Sequence, residues 1–533
     1  MSTYSDIQGR LLSSVTGKQW KKIGVSAHHG INLPLASIHS KHSCGIGEFH
    51  DLIPLIDWCK KVGFDVIQLL PLNDSGSDPS PYNALSSCAL HPIYLSLSDL
   101  PFVKEDEVLQ ESILQMQNLN HLEHTPYNEI LNRKMTFLRI YYEKHKAHWL
   151  NSVDYKTFAS NWKWLEPYSL FKTLQKNLKA DQFSLWPEEI KRPSDKTYKK
   201  MTHLHSDDIS FYTLLQYLSF KQFSSTCSYA KKQGILIKGD IPILISAESA
   251  DVWHEPHLFK LVLRAGAPPD QYNPDGQYWG FPLFNWPMIE KHHFSWWRQR
   301  LEYASLYYDL FRLDHVIGFF RIWAIAEGAD AKDGQYVPHN KEGWGPQGQR
   351  ILEKLISFSQ MLPIAEDLGT VPECVPPILT EMGVCGTKVM RWERYWNRDG
   401  HYIPLNRYPY VSMTTVSTHD SHTLTQWWRD FPDEARFFCL EKGWDYEPIL
   451  ALQYREKILR DSHHTSSLFH INLIQEYLNL YKELSWENPD QERINIPGKV
   501  LDTNWTYKIK QPVEQIVEHH DLQKSISRIL LKS

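Results

Sequence analysis

Three short polar clusters in the sequence contain residue types that can transfer protons or attack carbon. They are Phe311–His315, Ile364–Gly369 and Ser417–Asp420. Each places a carboxylate directly after an apolar run, where burial of a charge without a partner is costly. A single Asp in such a place usually forms a turn or caps a helix. Three such acids, each beside an Arg, a His or a second acid, indicate a chemical site.

The carboxylates suit cleavage of a glycosidic bond, because a retaining mechanism uses one carboxylate as nucleophile and another as acid and then base. Arg312 lies two residues before Asp314 and so on the same face of a strand, where its permanent charge keeps Asp314 ionised. The acid that follows Glu366 is expected to raise the pKa of Glu366, which suits a general acid. His419 and Asp420 are expected to hold sugar hydroxyls. Residue types alone leave the acid and base assignment open.

Eight short apolar runs, rich in β-branched residues and bounded by turn residues, predict buried parallel strands. They are Val25–Pro34, Val66–Leu72, Ile235–Ile245, Leu306–Val316, Pro363–Leu368, Thr387–Trp392, Val411–Thr418 and Arg493–Pro497. Amphipathic stretches between several of them predict right-handed crossovers. The fold class is therefore α/β, a (β/α)8 TIM barrel. The three clusters would meet at the carboxyl-terminal end of its strands, where such barrels build their active sites.

The chain between the second and third predicted strands is far too long for a simple crossover. Residues 95–225 show helical periodicity in several places, so we predict a mostly helical subdomain inserted into the barrel. Residues 24–94 would form the first part of the barrel. Residues 226–533 would form the remainder, with lid insertions and C-terminal helices. Residues 1–23 are predicted to be a peripheral N-terminal segment.

Composition and charge narrow the class of protein. The chain has 533 residues, 42% of them hydrophobic, and a formal net charge of −5 with acids and bases well mixed. Neither nucleic acid nor a membrane surface is an expected partner. Seven scattered cysteines without a CxxC pair argue against disulfides and zinc, and no metal site is expected at the paired histidines either. No secretory signal or membrane span is recognisable, so we expect a cytoplasmic protein.

A set of short motifs runs in order along roughly residues 24–507. The motifs are Gly30–Leu35 with Gly45–Phe49, Ser80–Tyr82, Gly239–Pro242, Pro268–Asp270 with Gly276–Gly280, Arg312–His315, Ala365–Gly369, Thr418–Asp420, and Arg493–Gly498 with Asn504–Trp505. Each is weak alone, but together they are specific. The set resembles the amylomaltase or disproportionating-enzyme family, glycoside hydrolase family 77 of the alpha-amylase clan.

The resemblance implies a 4-alpha-glucanotransferase, which cuts an alpha-1,4-glucan and joins the piece to another sugar through a covalent intermediate. It implies that Asp314 is the nucleophile and Glu366 the acid/base. Asp420 would be a third carboxylate that grips the sugar and favours its distorted form. No cofactor and no metal are implied. The implied partners are alpha-1,4-glucans, either maltooligosaccharides or glycogen.

Seven residues are expected to bind substrate. They are Tyr82, Asp240, Asp270, Trp279, Arg312, Trp344 and His419. By the resemblance, Arg312 and His419 surround the scissile bond, Tyr82 stacks on a sugar ring and Asp270 is a polar ligand. The remaining three have other grounds: Asp240 ends the third predicted strand, Trp279 supplies an aromatic wall, and Trp344 lies in a lid that we place near residues 330–348.

The sequence departs from the family pattern at two motifs. Glu48 stands where the family has Asp, and Ser421 follows Asp420 where the family commonly has Asn. A hydroxyl replaces only one of the two hydrogen bonds that an amide NH₂ can donate, so sugar contacts near Ser421 are expected to differ.

Two other functions fit the same residues. A hydrolase of the same clan would use the same carboxylates, and only the family resemblance favours transfer. A glucan-binding protein without catalysis would not need the reactive pair Asp314 and Glu366. The sequence does not indicate preferred chain length, glycogen versus maltodextrin use, cyclisation, regulation or oligomeric state.

Overall fold

The computed structural model describes residues 4–269 and 274–531 of the chain. Within them the strands are β1 (His28–Leu33), β2 (Val66–Leu69), β3 (Leu236–Ile241), β4 (Phe259–Ala267), β5 (Gln277–Phe284), β6 (Leu310–Leu313), β7 (Ile322–Ala326), β8 (Gln335–Val337), β9 (Leu362–Ala365), β10 (Gly386–Val389), β11 (Ser412–Thr415) and β12 (Phe469–Leu473). Eight of them form a parallel sheet in the order β10-β11-β12-β1-β2-β3-β6-β9. A parallel bridge between Ile364 and Cys385 brings the two outer strands together. The predicted (β/α)8 TIM barrel is confirmed.

Three neighbouring barrel strands position the first two candidate carboxylates. Arg312 on β6 pairs with Asp240 on β3 and with Ile364 on β9. Because these strands are parallel, their carboxyl-terminal ends lie together. Asp314 and Glu366 are the residues that directly follow β6 and β9. The backbone N–H of Glu366 donates to the carbonyl oxygen of the last β6 residue at 3.0 Å, which fixes the two strand ends side by side.

The eighth barrel strand is β12, so the strand predicted at Arg493–Pro497 is wrong. The polar residues His470 and Asn472 interrupt the apolar run of β12, so its sequence does not have the hydrophobic pattern of a buried strand. Both are buried in the structure and both find partners: His470 Nδ1 lies 2.9 Å from a backbone carbonyl oxygen, and Asn472 Oδ1 accepts a backbone N–H at 2.9 Å. Residues 493–497 form a loop. Its alternating Ile494 and Ile496 imitate a strand, although only Ile494 is buried.

A second sheet, antiparallel and not predicted from the sequence, leaves the barrel between β3 and β9. Its strand order is β5-β4-β7-β8. Most β4 residues are half-buried, so the strand has only a weak alternation of apolar and polar residues. The lid expected near residues 330–348 contains β8 and the start of a helix. Asp270 lies outside the described residues.

Helices surround the barrel and fill the long insertion. The helices of the first half are α1 (Tyr4–Ser13), α2 (Gly17–Ile23), α3 (Leu52–Val62), α4 (Glu107–Gln117), α5 (Tyr127–Asn151), α6 (Val153–Asn161), α7 (Leu165–Leu178), α8 (Glu188–Lys191), α9 (Asp195–Leu204), α10 (Ser206–Gln233) and α11 (Ala250–His254). Those of the second half are α12 (Trp286–Lys291), α13 (Ser295–Ala304), α14 (Trp344–Ile356), α15 (Val375–Met382), α16 (Leu424–Asp430), α17 (Pro432–Lys442), α18 (Leu452–His463), α19 (Ile474–Leu478), α20 (Val513–Glu518) and α21 (His520–Leu530). In the described part of the chain, no helix is long and apolar enough to cross a membrane.

The chain between β2 and β3 is helical, from α4 to α10. α10 continues through the boundary expected at residue 225 and leads directly into β3. Phe223 on α10 stacks on Phe49 at a ring distance of 5.0 Å. Phe49 lies just before α3, and α10 also packs on α3 itself, so the last helix of the insertion is also a helix of the barrel wall. The domain boundaries stay predictions.

α1 and α2, which span most of the segment predicted at residues 1–23, close the amino-terminal end of the barrel. Trp20 is 0% exposed, and its indole N–H donates to the carbonyl oxygen of Gly383 at 2.8 Å. Its ring lies 5.9 Å from that of Phe469 on β12. Ile7 and Leu11, four residues apart on one face of α1, join the apolar cluster that includes residues of the barrel strands. Short helices with few apolar positions gave little sequence signal of this contact.

Candidate active site

The guanidinium of Arg312 lies between the first two candidate carboxylates. Its Nη1 lies 2.8 Å from Asp314 Oδ1, and its Nη2 lies 3.8 Å from Glu366 Oε2. Because one planar group contacts both, the two carboxylates lie on the same side of the barrel mouth. The separation of about 5–5.5 Å that retaining chemistry requires stays a prediction.

Asp240 supports this guanidinium from inside the protein. Its side chain is 0% exposed. It accepts hydrogen bonds from Arg312 Nη1 at 3.0 Å and from the Tyr82 hydroxyl at 2.7 Å. Burial raises the pKa of Asp240, Arg312 opposes that rise, and the charge of Asp314 adds to it. With two protein partners and no exposed surface, Asp240 positions Arg312 and Tyr82, which argues against the direct sugar contact expected from the sequence.

Two backbone N–H groups hold the Glu366 carboxyl group. Those of His315 and Leu368 donate to Oε2 at 2.8 Å and to Oε1 at 3.0 Å. Burial raises the pKa of Glu366 to about 7, the Asp314 charge adds to the rise, and the nearby guanidinium and the N–H groups oppose it. The raised pKa expected from the sequence is present, but its main cause is burial rather than the adjacent Asp367. A carboxyl group that is half protonated near neutral pH can both donate and accept a proton.

Asp420 is held differently and stays ionised. Asn495 Nδ2 donates to its Oδ1 at 2.6 Å, and His419 Nε2 lies 3.2 Å from its Oδ2. Burial acts to raise its pKa, but His419 and Asn495 together with Arg312 lower the pKa of Asp420 to about 2. Arg493 Nη2 also donates to the Asp420 carbonyl oxygen at 2.9 Å. Because 43% of the side chain remains exposed, this fixed negative charge is available to a ligand.

The two departures from the family pattern have structural partners. The Ser421 hydroxyl accepts the Thr418 backbone N–H at 2.8 Å and so closes the turn that carries Asp420. Glu48 is buried and forms an ion pair of 2.6 Å with Lys134 on α5. Both side chains are engaged within the protein, at the turn and between the barrel and the inserted helices.

Aromatic rings line the site beside Arg312. The Tyr82 ring stacks on the His419 ring at 5.3 Å with an angle of 13° between the planes. Trp505 lies 5.5 Å from the Tyr82 ring and 5.9 Å from the His419 ring. Trp279 on β5 lies edge-on to the His315 ring at 4.9 Å. The structure therefore brings Tyr82, Trp279, Arg312 and His419 to the carboxylates.

Trp344 lies in a different environment from the one expected. It is 7% exposed, and its indole N–H donates to the Pro338 carbonyl oxygen at 2.7 Å. The Arg321 guanidinium lies 4.6 Å from its ring and 3.7 Å from the ring of Tyr336 on β8. These contacts fasten the second sheet to α14. A sugar contact of Trp344 stays a prediction that the contacts in the structure do not support.

Sequence reasoning assigned no role to Asn495, Arg493, Trp505 or His315, although each lies in a quoted motif. The motifs were a usable signal, because residues that recur in a family pattern outside the predicted strands often reach the site. The contact between Asn495 and Asp420 could not be inferred from the sequence, because the two residues are 75 positions apart. Arg493 is the first residue of the strand predicted at residues 493–497.

Comparison with known proteins identifies the family. A family model described as 4-alpha-glucanotransferase, glycoside hydrolase family 77, matches residues 33–514. The chain belongs to this family. A 4-alpha-glucanotransferase of Chlamydia caviae is 43% identical over 534 residues and covers 100% of both chains. A 4-alpha-glucanotransferase of Clostridium butyricum is 29% identical over 496 residues, which is 90% of this chain and 96% of the relative.

Members of the family also share the fold. An amylomaltase from Streptococcus agalactiae, solved in complex with acarbose, has a TM-score of 0.78 at 24% identity, covering 94% of this chain and 98% of that chain. An amylomaltase from Corynebacterium glutamicum has a TM-score of 0.78 at 17% identity, covering 98% of this chain and 77% of that chain. At these identities the likeness shows the barrel fold. The family match and the curated relatives show that the protein is an enzyme, a 4-alpha-glucanotransferase.

Proposed function

We propose that the protein transfers a segment of an alpha-1,4-glucan to the 4-hydroxyl of another glucan or of glucose, with Asp314 as nucleophile and Glu366 as acid/base. The assignment rests on one observation: the carboxyl groups of Asp314 and Glu366 both lie against the guanidinium of Arg312. Asp314 lies 2.8 Å from the permanently charged guanidinium of Arg312. Burial raises the pKa of Glu366 to about 7, which favours the protonated form that a general acid needs. Two carboxyl groups with such different surroundings are suited to two different roles.

In the first step, an Asp314 oxygen attacks the anomeric carbon of the donor sugar while Glu366 protonates the departing glycosidic oxygen. The carbon–oxygen bond to the leaving glucan breaks and a glycosyl ester forms on Asp314. In the second step, Glu366 takes the proton of an acceptor 4-hydroxyl, and that oxygen displaces Asp314. Asp420, ionised and exposed, hydrogen-bonds hydroxyls of the sugar and favours its distorted ring. The number of glycosidic bonds is unchanged over the cycle.

Transfer requires that an acceptor sugar reaches the ester before water does. Water is far more concentrated than any sugar, so the site must position an acceptor hydroxyl. Oriented placement can supply effective molarities on the order of 10⁵ M or more. Tyr82 and Trp279 provide aromatic walls beside the carboxylates for this purpose. A hydrolase of the same clan would use the same carboxylates without this control of acceptors.

Maltotriose separates transfer from its alternatives. Purified protein is incubated with maltotriose while chain lengths and total reducing ends are followed. Transfer produces glucose and longer glucans at constant reducing ends, because each event breaks one bond and makes one. A rise in reducing ends that matches glucose release, without longer products, would make the protein a hydrolase. Binding of glucan without any product would make it a binding protein.

Alpha-1,4-glucans are the proposed partners, as maltooligosaccharides or as glycogen, and the cytoplasm is the proposed location. The seven cysteines support a reducing compartment. All are free thiols, and six of them are buried.

The pH dependence of kcat/KM is expected to follow Glu366. This group must be protonated in the free enzyme to act as an acid, so kcat/KM for maltotriose should fall as pH rises through about 7. Asp420, with its pKa lowered to about 2, stays ionised across the range and adds no change above about pH 4. Initial rates of glucose release between pH 5 and 9 measure the profile. In Glu366→Gln the residual rate should lose this alkaline decline, and its persistence would assign the decline to another group.

Tyr82 is expected to matter through its ring and its hydroxyl. Tyr82→Ala removes the aromatic wall and should lower kcat/KM for maltotriose by roughly 10²-fold. Tyr82→Phe keeps the ring but deprives buried Asp240 of one hydrogen bond, so a loss of roughly 10-fold is expected. Steady-state kinetics of both variants measure the separate contributions of the Tyr82 ring and the Tyr82 hydroxyl to kcat/KM. Equal losses in Phe and Ala would show that stacking contributes nothing.

A further inference from the structure

One buried carboxylate outside the site holds both ends of the segment that carries Asp420. Residues 417–424 run from just after β11 to the first residue of α16, and Glu476 lies beside them on α19 with its side chain 0% exposed. Glu476 Oε1 accepts hydrogen bonds from the Ser417 hydroxyl at 2.6 Å and from the Leu424 backbone N–H at 3.0 Å. The first and last residues of the segment are therefore tied to a single oxygen atom.

This arrangement is not what stability alone would favour. A carboxylate loses much of its hydration on burial, and well-packed apolar residues can often replace a buried ion pair without loss of stability. Burial raises the pKa of Glu476, and Arg455, whose Nη1 lies 3.6 Å from Oε2, opposes that rise. Arg455 Nη2 also donates to the Thr425 hydroxyl at 2.6 Å, just after the segment. Glu476 and Arg455, both buried and charged, therefore each hydrogen-bond to the segment or to the residue that follows it.

The segment needs such support because Asp420 is 43% exposed and must keep one orientation. Within the segment, the Ser421–Thr418 turn fixes the middle but leaves both ends to their neighbours. We propose that Glu476 is a positioning residue, which fixes the segment at Ser417 and Leu424 so that Asp420 meets the sugar in the transition state. The inference rests on the proposed role of Asp420.

Three variants test the contacts. Glu476→Met fills a similar volume but removes both hydrogen bonds, and kcat for maltotriose should fall by about 10²-fold with KM changed by less than about 3-fold, as for a small displacement of a catalytic group. Glu476→Gln keeps an oxygen that can accept both bonds and should recover activity to within about 5-fold of the natural protein. Ser417→Ala removes one bond and should lie between them, at a loss of about 10-fold.

A double-mutant cycle with Asp420→Asn separates positioning from general stability. If Glu476 acts through Asp420, Glu476→Met should cost less than about 3-fold in the Asp420→Asn background. The matched control is Glu48→Met, which breaks another buried ion pair, Glu48 with Lys134. It should lower Tm without lowering the kcat of the folded enzyme.

Equal losses from Glu476→Met in both backgrounds, or an unchanged kcat in the folded variant, would overturn the proposal. If Glu476→Met does not fold, Ser417→Ala is measured in the same cycle and is judged by the same criteria. Near-normal activity of Asp420→Asn alone would instead contradict the proposed role of Asp420, so the two failures are distinguishable.

Discussion

Asp314→Asn is expected to lower kcat for maltotriose disproportionation by on the order of 10⁴-fold or more while the protein stays folded. The amide has nearly the shape of the carboxylate but is a poor nucleophile, so no glycosyl ester forms. Arg312 keeps its buried partner Asp240, at 3.0 Å, which limits the structural cost of losing the Asp314 charge. Separation of products by chain length gives the rate, and thermal unfolding gives Tm, which should change by only a few degrees.

Asp433→Asn is the matched control, because Asp433 is an exposed acid on α17 and should leave kcat unchanged. Intact-mass measurement of the acid-quenched reaction adds a direct observation. The natural protein should show a glycosyl adduct that Asp314→Asn lacks. Turnover of Asp314→Asn near that of the natural protein would mean that another residue is the nucleophile.

Glu366→Gln is expected to lower kcat for maltotriose by roughly 10³-fold, because the amide cannot protonate the departing glycosidic oxygen. A glycosyl fluoride carries a leaving group that needs little protonation. The first step with this donor should therefore be slowed by less than about 10-fold, measured as the burst of fluoride release. The backbone N–H groups of His315 and Leu368 donate to different oxygens of Glu366, at 2.8 and 3.0 Å, so the single oxygen of Gln can accept only one of them.

The second step has no such rescue, since Glu366 must still take the proton of the acceptor hydroxyl. Steady turnover of the fluoride by Glu366→Gln should stay low after the burst, and a small external anion such as azide should restore it. Equal impairment with glucan and with fluoride in the burst phase would show that Glu366 is not the acid.

The barrel and its two central carboxylates could be predicted because strands such as β6 and β9 are short apolar runs that end in charged residues. Asp314 and Glu366 directly follow such runs, so the parallel sheet alone brings them together. β12 could not be recognised in this way. Its His470 and Asn472 are buried polar groups, and only their tertiary hydrogen bonds make that burial acceptable.

Residues that act from distant segments were also beyond sequence reasoning. Asn495 reaches Asp420 from a loop, and the buried Asp240 serves Arg312 and Tyr82 rather than the open cleft. Periodicity reports which face of an element is buried, but it does not report which loop folds over which strand. The sugar contact expected of Trp344 stays a prediction, and the structure shows its ring packed against Arg321, a contact that its position in the sequence does not indicate.

The closure of the barrel by α1 and α2 has a consequence for synthesis of the chain. β1 can pair with β2 early, but its second partner β12 begins only at residue 469, and Trp20 meets Gly383 and Phe469 only when those residues have been made. At roughly 5–20 residues per second, a ribosome needs tens of seconds to cover that distance. During this time the nascent protein carries an unpaired strand edge and an exposed indole. The barrel can therefore be closed only after most of the chain has been made.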